Sequence, residues 1–282
     1  AASPTADDIE AIAPYDGDPI LLARVERFWY HIHKVPHFTN RLSALQAKQQ
    51  LDGLISHALS LLEDVGCACT QLCNAPRFER LLALVLTAGN AINVNTPRGG
   101  AKGCKLDVLP KLSDVKSMAK AKGKKRTLLE LLVSVAEDRM GESVGGWVGD
   151  VSDTAEAARV PWSRISADLA ELGSSVRLVE RVGKAVQMSS KAVAKKNEDQ
   201  KVADDRERSA KAAVNMLKWS EEAKVALDEL KEGLDVSQRL FGCVAKRLDF
   251  EANTKKASGG PDVLFTAIDA FRNEWSDASN AN

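Results

Sequence analysis

Apolar residues recur at helical spacing along most of the chain, and almost nowhere do they alternate with polar residues. The first clear stripe follows Asp18-Pro19, where an aspartate N-cap and a proline at the first helical position predict a helix start. Pro36 is predicted to end that helix. Its apolar members are Leu21, Leu22, Val25, Phe28, Trp29 and Ile32. The pattern predicts an all-α protein.

Two further helices are predicted in the first hundred residues. One runs from about Leu45 to Leu72, and the next follows Asn74-Ala75-Pro76 and continues to Leu86. Gly99-Gly100 marks a loop after them.

A 3.5-residue apolar repeat, typical of a coiled-coil seam, occupies the second half of the chain. It runs from Ile165 to Val193 and again, more regularly, from Leu227 to Leu248. Ten of the fourteen residues between Lys195 and Arg208 are charged, so a solvated helical tip or turn is expected between the two stretches. We expect an elongated helical bundle with a long antiparallel coiled coil, followed by a last helix that starts at Pro261.

The overall charge is balanced, with 39 Lys and Arg against 39 Asp and Glu, so an electrostatic partner must be met by a local patch. Five cysteines in 282 residues do not resemble a disulfide framework. No stretch reaches the roughly 18 continuous apolar residues of a membrane span, and the first residues lack a secretory pattern. We expect a soluble cytoplasmic protein with no membrane partner.

No group of residues indicates an enzyme, a cofactor or a metal site. The three histidines between His31 and His37 are spaced so that the first pair lies on different faces of a helix. The three cysteines between Cys67 and Cys73 lack the C-x2-C spacing of zinc ligands. The VGGWVG stretch (144–149) has no predicted strand before it and does not indicate a nucleotide loop.

Two features do suggest binding. The segment from Lys116 to Arg126 (KSMAKAKGKKR) carries six cations and no acid, enough to attract an acidic partner, although a flexible solvated loop would have the same composition. The segment from Gly89 to Asn93 (GNAIN) ends an apolar helix with two amides that would be costly to bury unpaired; a helix C-cap and turn would also explain it.

Five blocks, in this order, resemble the formin homology 2 domain, the actin-assembly module of formins. They are DDIEAIAPYDGDPILLARVERFWYHIHKVPHFTNRLSAL, LLALVLTAGNAINVNTPRGGAKGCKLDVLPKLSDVKS, TLLELLV, AEAARVPWSRISADL and PDVLFTAIDAFRNEWSDA. A single GN-x-x-N match would be weak evidence, but five ordered blocks over nearly the whole chain are specific.

The resemblance implies a rod-like helical protein that works as a head-to-tail dimer around the barbed end of an actin filament. It implies part of a knob at about 1–45, a coiled-coil region at 46–75 and 153–250, and a post region at 76–152 and 261–282. It also implies that a neighbouring region, outside these residues, supplies profilin-bound actin. The expected setting is the cytoplasmic cytoskeleton.

The resemblance also implies the site residues. A lysine of the family's KL-x-D-x-K run that touches actin corresponds to Lys116, with Lys111 a weaker candidate and Lys120 beside them. The family's pocket for the N-terminal lasso, a tryptophan-bearing segment of the partner subunit, involves the GN-x-x-N region, here Gly89, Asn90 and Asn93.

The chain departs from the family pattern in three respects. The lasso, the linker and the first knob helix do not appear among these residues, so the 282-residue chain is expected to be monomeric. Lys102 and Cys104 occupy positions where the family has aromatic residues, and the basic segment is longer than usual. The alternative hypothesis is a coiled-coil scaffold whose basic loop binds nucleic acid or another acidic partner.

Overall fold

The computed structural model describes residues 6–33, 35, 37–121, 124–192, 200–250 and 259–281. Within these ranges the chain forms ten α-helices and one antiparallel hairpin of two strands, which confirms the predicted all-α bundle. The helices are α1 (Ala6–Ile12), α2 (Arg24–Ile32), α3 (Phe38–Cys73), α4 (Pro76–Ile92), α5 (Leu128–Val135), α6 (Trp147–Asp150), α7 (Thr154–Ala157), α8 (Trp162–Ala192), α9 (Gln200–Arg247) and α10 (Pro261–Asn280). The strands are β1 (Lys116–Ala121) and β2 (Lys124–Thr127). None of the described helices combines the length and the apolar character that a bilayer crossing requires.

The chain divides into two compact units. Unit 1 comprises residues 1–56 and 168–230, and unit 2 comprises residues 57–167 and 231–282.

In unit 1, α8 and α9 pack against each other in antiparallel orientation. A Cβ atom placed on Gly183 would lie 3.1 Å from Cγ of Leu217, and one placed on Gly173 would lie 3.6 Å from Cδ2 of Leu227. Descending numbers on α8 thus match ascending numbers on α9. A small buried cluster closes this packing with Ala44 of α3, and its members are Ala44, Val179, Val182, Val186 and Ala213. The antiparallel pairing predicted from the heptad spacing is present.

Unit 2 is built around stacked aromatic rings. Trp147 lies between Phe78 and Phe271, with ring centroids 5.5 Å away on each side, and it meets Trp275 edge-on at 5.8 Å. Helix α10 supplies two of these rings and packs against α5, α7 and the 3-10 helix Leu106–Leu112. The last helix of the chain therefore holds together segments that lie far apart in sequence.

The first predicted helix is interrupted. Asp18 is the N-cap as predicted, and its carboxylate accepts a backbone N–H two residues on at 2.9 Å. Only Pro19–Leu21 follows, as one 3-10 turn, because Leu22 adopts an extended conformation. The carboxylate of Glu26 then accepts the N–H of Ala23 at 3.0 Å, which supports a second helix start at α2.

One predicted helix boundary also differs from the structure. Helix α3 begins at Phe38 rather than at Leu45, and Phe38 and Leu42 extend the apolar spacing of Leu45 toward the N-terminus. The charged run at 195–208 is described only from residue 200, where it is already helical. Pro36 and Val193 lie outside the described residues.

The basic segment 116–126 forms strands over most of its described length, rather than the flexible solvated loop that its composition also allows. Its ends are fixed by neighbouring structure. Thr127, which ends β2, is the N-cap of α5 and exchanges capping hydrogen bonds with Glu130. The N–H of Leu128 donates to the carbonyl of Val115 at 2.7 Å, so the two ends of the hairpin are joined at its base.

Candidate functional site

The hairpin brings cations into register. Lys116 lies opposite Thr127 at the base, and farther along Lys120 lies opposite Lys125. Like charges that face each other across two strands repel, so this pair does not stabilise the hairpin. Lys116 and Lys125 are exposed, and neither has an ion-pair partner among the described residues. The hairpin therefore presents positive charge that the described part of the chain does not neutralise.

Tertiary contacts fix the base of the hairpin. Three residues before Lys116, the Ser113 hydroxyl lies 3.1 Å from Oε2 of Glu274 on α10. At the other strand, Nη2 of Arg126 donates to Ser134 Oγ at 2.6 Å and to the carbonyl of the α5 residue Glu130 at 3.2 Å. The guanidinium of Arg126 thus stabilises the packing of β2 against α5. These contacts fix the base of the hairpin, where Lys116 lies.

The three lysines predicted to bind actin have different surroundings. Lys116 is exposed and unpaired within the described residues. Lys111, in the 3-10 helix, is also exposed, but its Nζ lies 3.1 Å from a carboxylate oxygen of Asp107. Lys120 is placed by its backbone in β1, and its side chain lies outside the described atoms. Lys116 is therefore the strongest of the three candidates.

The chain is electrically polarised. Residues 80–129 contain eleven Lys and Arg against two Asp, although the chain as a whole is neutral. All of these cations belong to unit 2. The remaining residues carry the compensating negative charge. The segment that includes the hairpin is therefore the natural place for an acidic partner.

The GN-x-x-N amides are engaged within the chain. The side chain of Asn90 donates to the carbonyl of Ala101 at 2.9 Å and accepts the N–H of the same residue at 2.8 Å. The side chain of Asn93, the C-cap of α4, donates to the carbonyl of Gly89 at 2.8 Å. The amides therefore hold the following loop against the end of α4, and the predicted C-cap and turn are also present.

Gly89 and Gly99 differ in how much space surrounds them. A Cβ atom on Gly89 would meet no atom of the described residues within 4 Å, so there is open space beside this position of α4 in that part of the chain. A Cβ atom on Gly99 would lie 2.6 Å from the carbonyl oxygen of Asn93, so the loop can close on the helix end only with glycine there. Gly89, Asn90 and Asn93 are each partly exposed, and the structure brings all three to one helix end.

A second surface feature of unit 2 was not predicted from the sequence. A cleft of about 860 Å³, here called the tryptophan cleft, lies beside the aromatic stack. Its walls include Arg77, Val144, Trp147, Trp275 and Asn280. Gly146 shapes one wall in a left-handed conformation (φ 79°), and a Cβ atom there would lie 3.0 Å from Nη1 of Arg77. The VGGWVG stretch is thus a cleft wall.

The tryptophan cleft has acidic residues in its lining and a mixture of polar and apolar walls. Glu137 and Glu142 line it, while the cation Arg77 is paired with Asp150 at 3.2 Å. The indole Nε1 of Trp147 is buried and has no hydrogen-bond partner among the described residues. No local sequence signal marks this cleft, because its walls come from three segments, near residue 77, at 136–148 and at 275–280.

The histidines and cysteines form no metal site among the described residues. Nε2 of His37 lies 2.8 Å from Ser189 Oγ, a contact within unit 1. Burial, and to a smaller extent the neighbouring Cys73, raise the pKa of the Cys69 thiol to about 12. Burial also raises the pKa of Cys104. These thiols are therefore protonated at neutral pH.

Comparison with known proteins places this geometry in a family. The model of the Formin Homology 2 Domain matches residues 1–276. Formin-H of Dictyostelium discoideum is 32% identical over 182 residues, which cover 64% of this chain and 16% of that protein. Formin-like protein 13 of Arabidopsis thaliana is 34% identical over 139 residues, or 49% of this chain and 11% of that protein. Formin-like protein 4 of the same plant is 39% identical over 132 residues, which cover 46% of this chain and 17% of that protein. The chain thus spans less than a fifth of the length of these relatives.

Proposed function

Because this chain belongs to the formin homology 2 family, we propose that it is an actin-binding module that nucleates filaments and processively caps or elongates their barbed ends. The observation that carries the proposal is the family match over residues 1–276, nearly the whole chain. Such assembly makes and breaks no covalent bond, so the proposed role is not enzymatic.

Lys116 is the proposed centre of the actin contact. It is exposed, it has no partner among the described residues, and the anchored base of the hairpin holds it in place. A lysine in this setting gains from pairing with carboxylates on a partner's surface when the interface excludes water. Lys111 would have to leave Asp107 to make the same contact, which makes it the weaker contributor.

Dimerisation is proposed to use the end of α4 that carries Gly89, Asn90 and Asn93. The open space beside Gly89 would admit the lasso of a partner subunit, and the Asn90 contacts would keep that surface in shape. A tryptophan of the lasso would enter the tryptophan cleft, where Val144, Trp147 and Trp275 supply the apolar part of the walls. Arg77 and Asn90 are about 20 Å apart along α4. An extended segment of about six residues spans that distance.

Actin assembly tests this proposal. The 282-residue chain and the same chain carrying an N-terminal lasso segment are compared by pyrene-actin fluorescence and by single-filament microscopy. We expect the extended chain to shorten the nucleation lag and to stay at growing barbed ends. The shorter chain should bind weakly, because one half cannot hold a filament while the other steps. Failure of both chains to alter filament growth or to sediment with filaments would refute the proposal.

The alternative, a helical scaffold that binds nucleic acid, is favoured by one observation, the eleven cations and two acids of residues 80–129. Electrostatic binding of this kind weakens steeply between about 50 and 200 mM salt. Strongly salt-dependent binding of duplex DNA, together with no effect on actin, would favour the scaffold. Retained actin binding at the higher salt would favour the actin module.

A further inference from the structure

A second cleft of unit 2 combines an apolar floor with a basic rim. It has a volume of about 610 Å³ and is here called the lysine-rimmed cleft. It lies where the loop after α4 faces α4 itself and the end of α9. The residues that form its floor are Leu82, Leu86, Leu106 and Leu248. Leu106 is buried, and the other three are partly exposed, so the floor is accessible from outside.

The walls of this cleft are fixed by contacts within the chain. Asn90 holds Ala101 through two hydrogen bonds, which sets the position of the adjoining residues 102–105. On the opposite side, the guanidinium of Arg247 donates to the carbonyl of Cys73 at 3.0 Å and pairs with Glu79. Both walls are therefore in place before any partner arrives, which lowers the entropic cost of binding.

The charge of the rim is positive. Lys102 and Lys105 are exposed, and neither has an ion-pair partner among the described residues. Arg247 is neutralised by Glu79, and among the described residues that line the cleft Asp249 is the single carboxylate. Two uncompensated ammonium groups thus stand above a leucine floor.

We propose that the lysine-rimmed cleft is a docking site for an acidic amphipathic segment of a partner protein. Leucine-sized side chains of the segment would cover the floor, and its carboxylates would pair with Lys102 and Lys105. None of the described residues that line the cleft has an aromatic ring on which a base could stack, which favours a peptide over single-stranded nucleic acid. The inference does not depend on actin binding, because the proposed actin contact lies on the hairpin.

Fluorescein-labelled peptides of about 14 residues, four helical turns, provide the probe. One contains Glu, Leu and Ala with leucine at helical spacing, a second replaces every Glu by Lys, and a third replaces every Leu by Ser. The first should bind the 282-residue chain with a Kd on the order of 10–100 μM by fluorescence polarisation. The other two should bind at least about tenfold more weakly, since each lacks one half of the recognition.

Charge reversal locates the site. The double variant Lys102→Glu, Lys105→Glu should lose about tenfold in affinity for the acidic peptide, because two exposed attractions become repulsions. The control Lys116→Glu, Lys125→Glu has the same net charge and changes only the hairpin, so it should retain peptide binding. Circular dichroism checks that both variants are folded.

Three results would overturn the inference. They are equal affinity of the acidic and basic peptides, equal loss in the cleft and hairpin variants, and no saturable binding of the acidic peptide at about 1 mM. The actin assay on the cleft variant separates the two proposals, since actin binding should survive Lys102→Glu, Lys105→Glu.

Discussion

The side chain of Asn90 forms two hydrogen bonds with the backbone of Ala101: it donates to the carbonyl at 2.9 Å and accepts the N–H at 2.8 Å. This pair connects the end of α4 to a loop that runs over the helix end and then forms one rim of the lysine-rimmed cleft. The amide of Asn90 therefore helps to fix the conformation of this side of the cleft.

Replacing Asn90 by alanine should destabilise the chain and loosen the loop. Loss of two partly exposed hydrogen bonds is expected to lower the free energy of unfolding by about 1–2 kcal/mol. Asn90→Asp keeps the acceptor for the Ala101 N–H but places a carboxylate oxygen against the Ala101 carbonyl, where two acceptors repel, so it should cost at least as much. Urea denaturation measures both costs, and faster hydrogen exchange at Ala101 reports the loosened loop. Equal stability of wild type and Asn90→Ala would show that the contact contributes nothing.

Lys116→Asp should weaken actin binding by about tenfold while leaving the helical content unchanged. Lys246→Asp is the matched control, because Lys246 is an exposed lysine of the same unit that lies on α9, away from the hairpin. Lys111→Asp should have an intermediate effect, since that lysine is already paired. Cosedimentation with filaments gives the affinities, and an unchanged affinity for Lys116→Asp removes this residue from the actin contact.

Gly89→Val should leave stability nearly unchanged and abolish association with an added lasso peptide. The reason is that nothing within 4 Å opposes a Cβ atom at Gly89 inside the chain, whereas a branched side chain would fill the space proposed for the partner. Thermal unfolding measures the first part and isothermal titration the second. Full lasso binding by Gly89→Val would place the dimer contact elsewhere, and the double variant with Asn93→Ala tests the rest of the motif.

Gly146→Ala should be destabilising, and Gly149→Ala should not be. Gly146 has a φ of 79° and a Cβ atom there would crowd Nη1 of Arg77 at 3.0 Å, so the cost is about 1–2 kcal/mol. Gly149 lies in α6 with open space around it, and alanine there should be neutral or stabilising by up to about 1 kcal/mol. Urea denaturation of the two variants side by side measures the difference.

The Cys69 thiol should make stability fall in alkaline solution. Its pKa is about 12 in the folded chain against an ordinary 9.0, because burial and then Cys73 oppose the thiolate. The unfolded chain therefore loses this proton first. The stabilisation is complete below the ordinary pKa and is lost as the pH rises toward the folded one, by up to about 1.4 kcal/mol per pH unit.

Denaturation curves between about pH 8 and 11 test this expectation, since that range covers the titration of an exposed thiol. Cys69→Ala should show a smaller loss of stability with pH than wild type. Cys243→Ala, which removes an exposed thiol, should follow wild type. Parallel curves for all three proteins would contradict the predicted role of burial.

Long helices were the part of this fold most predictable from sequence. The heptad spacing around Leu172 and Leu230 indicated the α8–α9 pairing, and both residues are buried at 1% exposure. The start of α3 was predicted seven residues too late, although Phe38, Leu42 and Leu45 already have helical spacing. The interruption at Leu22 depends on a capping contact from Glu26, which competes locally with continuation of the helix.

The hairpin and the tryptophan cleft were not predictable for a different reason. Lysine and alanine have low strand propensity, so the sequence of β1 and β2 does not by itself predict strands. The hairpin depends instead on contacts at its base that involve Thr127 and Val115. The tryptophan cleft requires a long-range contact between Trp147 and Trp275, which local sequence patterns do not predict. For GN-x-x-N, the sequence predicted a helix C-cap and turn, which Asn93 forms, but not the two hydrogen bonds between Asn90 and Ala101.

Leu227 lies beside Gly173 and Leu217 lies beside Gly183. Moving ten residues toward the C-terminus of α8 therefore corresponds to moving ten residues toward the N-terminus of α9. A single inserted residue in either helix would rotate everything beyond it by about 100° and expose the seam. Deleting seven residues from each helix together would preserve the seam and shorten the pair by about 10 Å. The length of the α8–α9 pair can therefore be changed without disrupting the seam only when the same number of whole heptads is removed from or added to both helices.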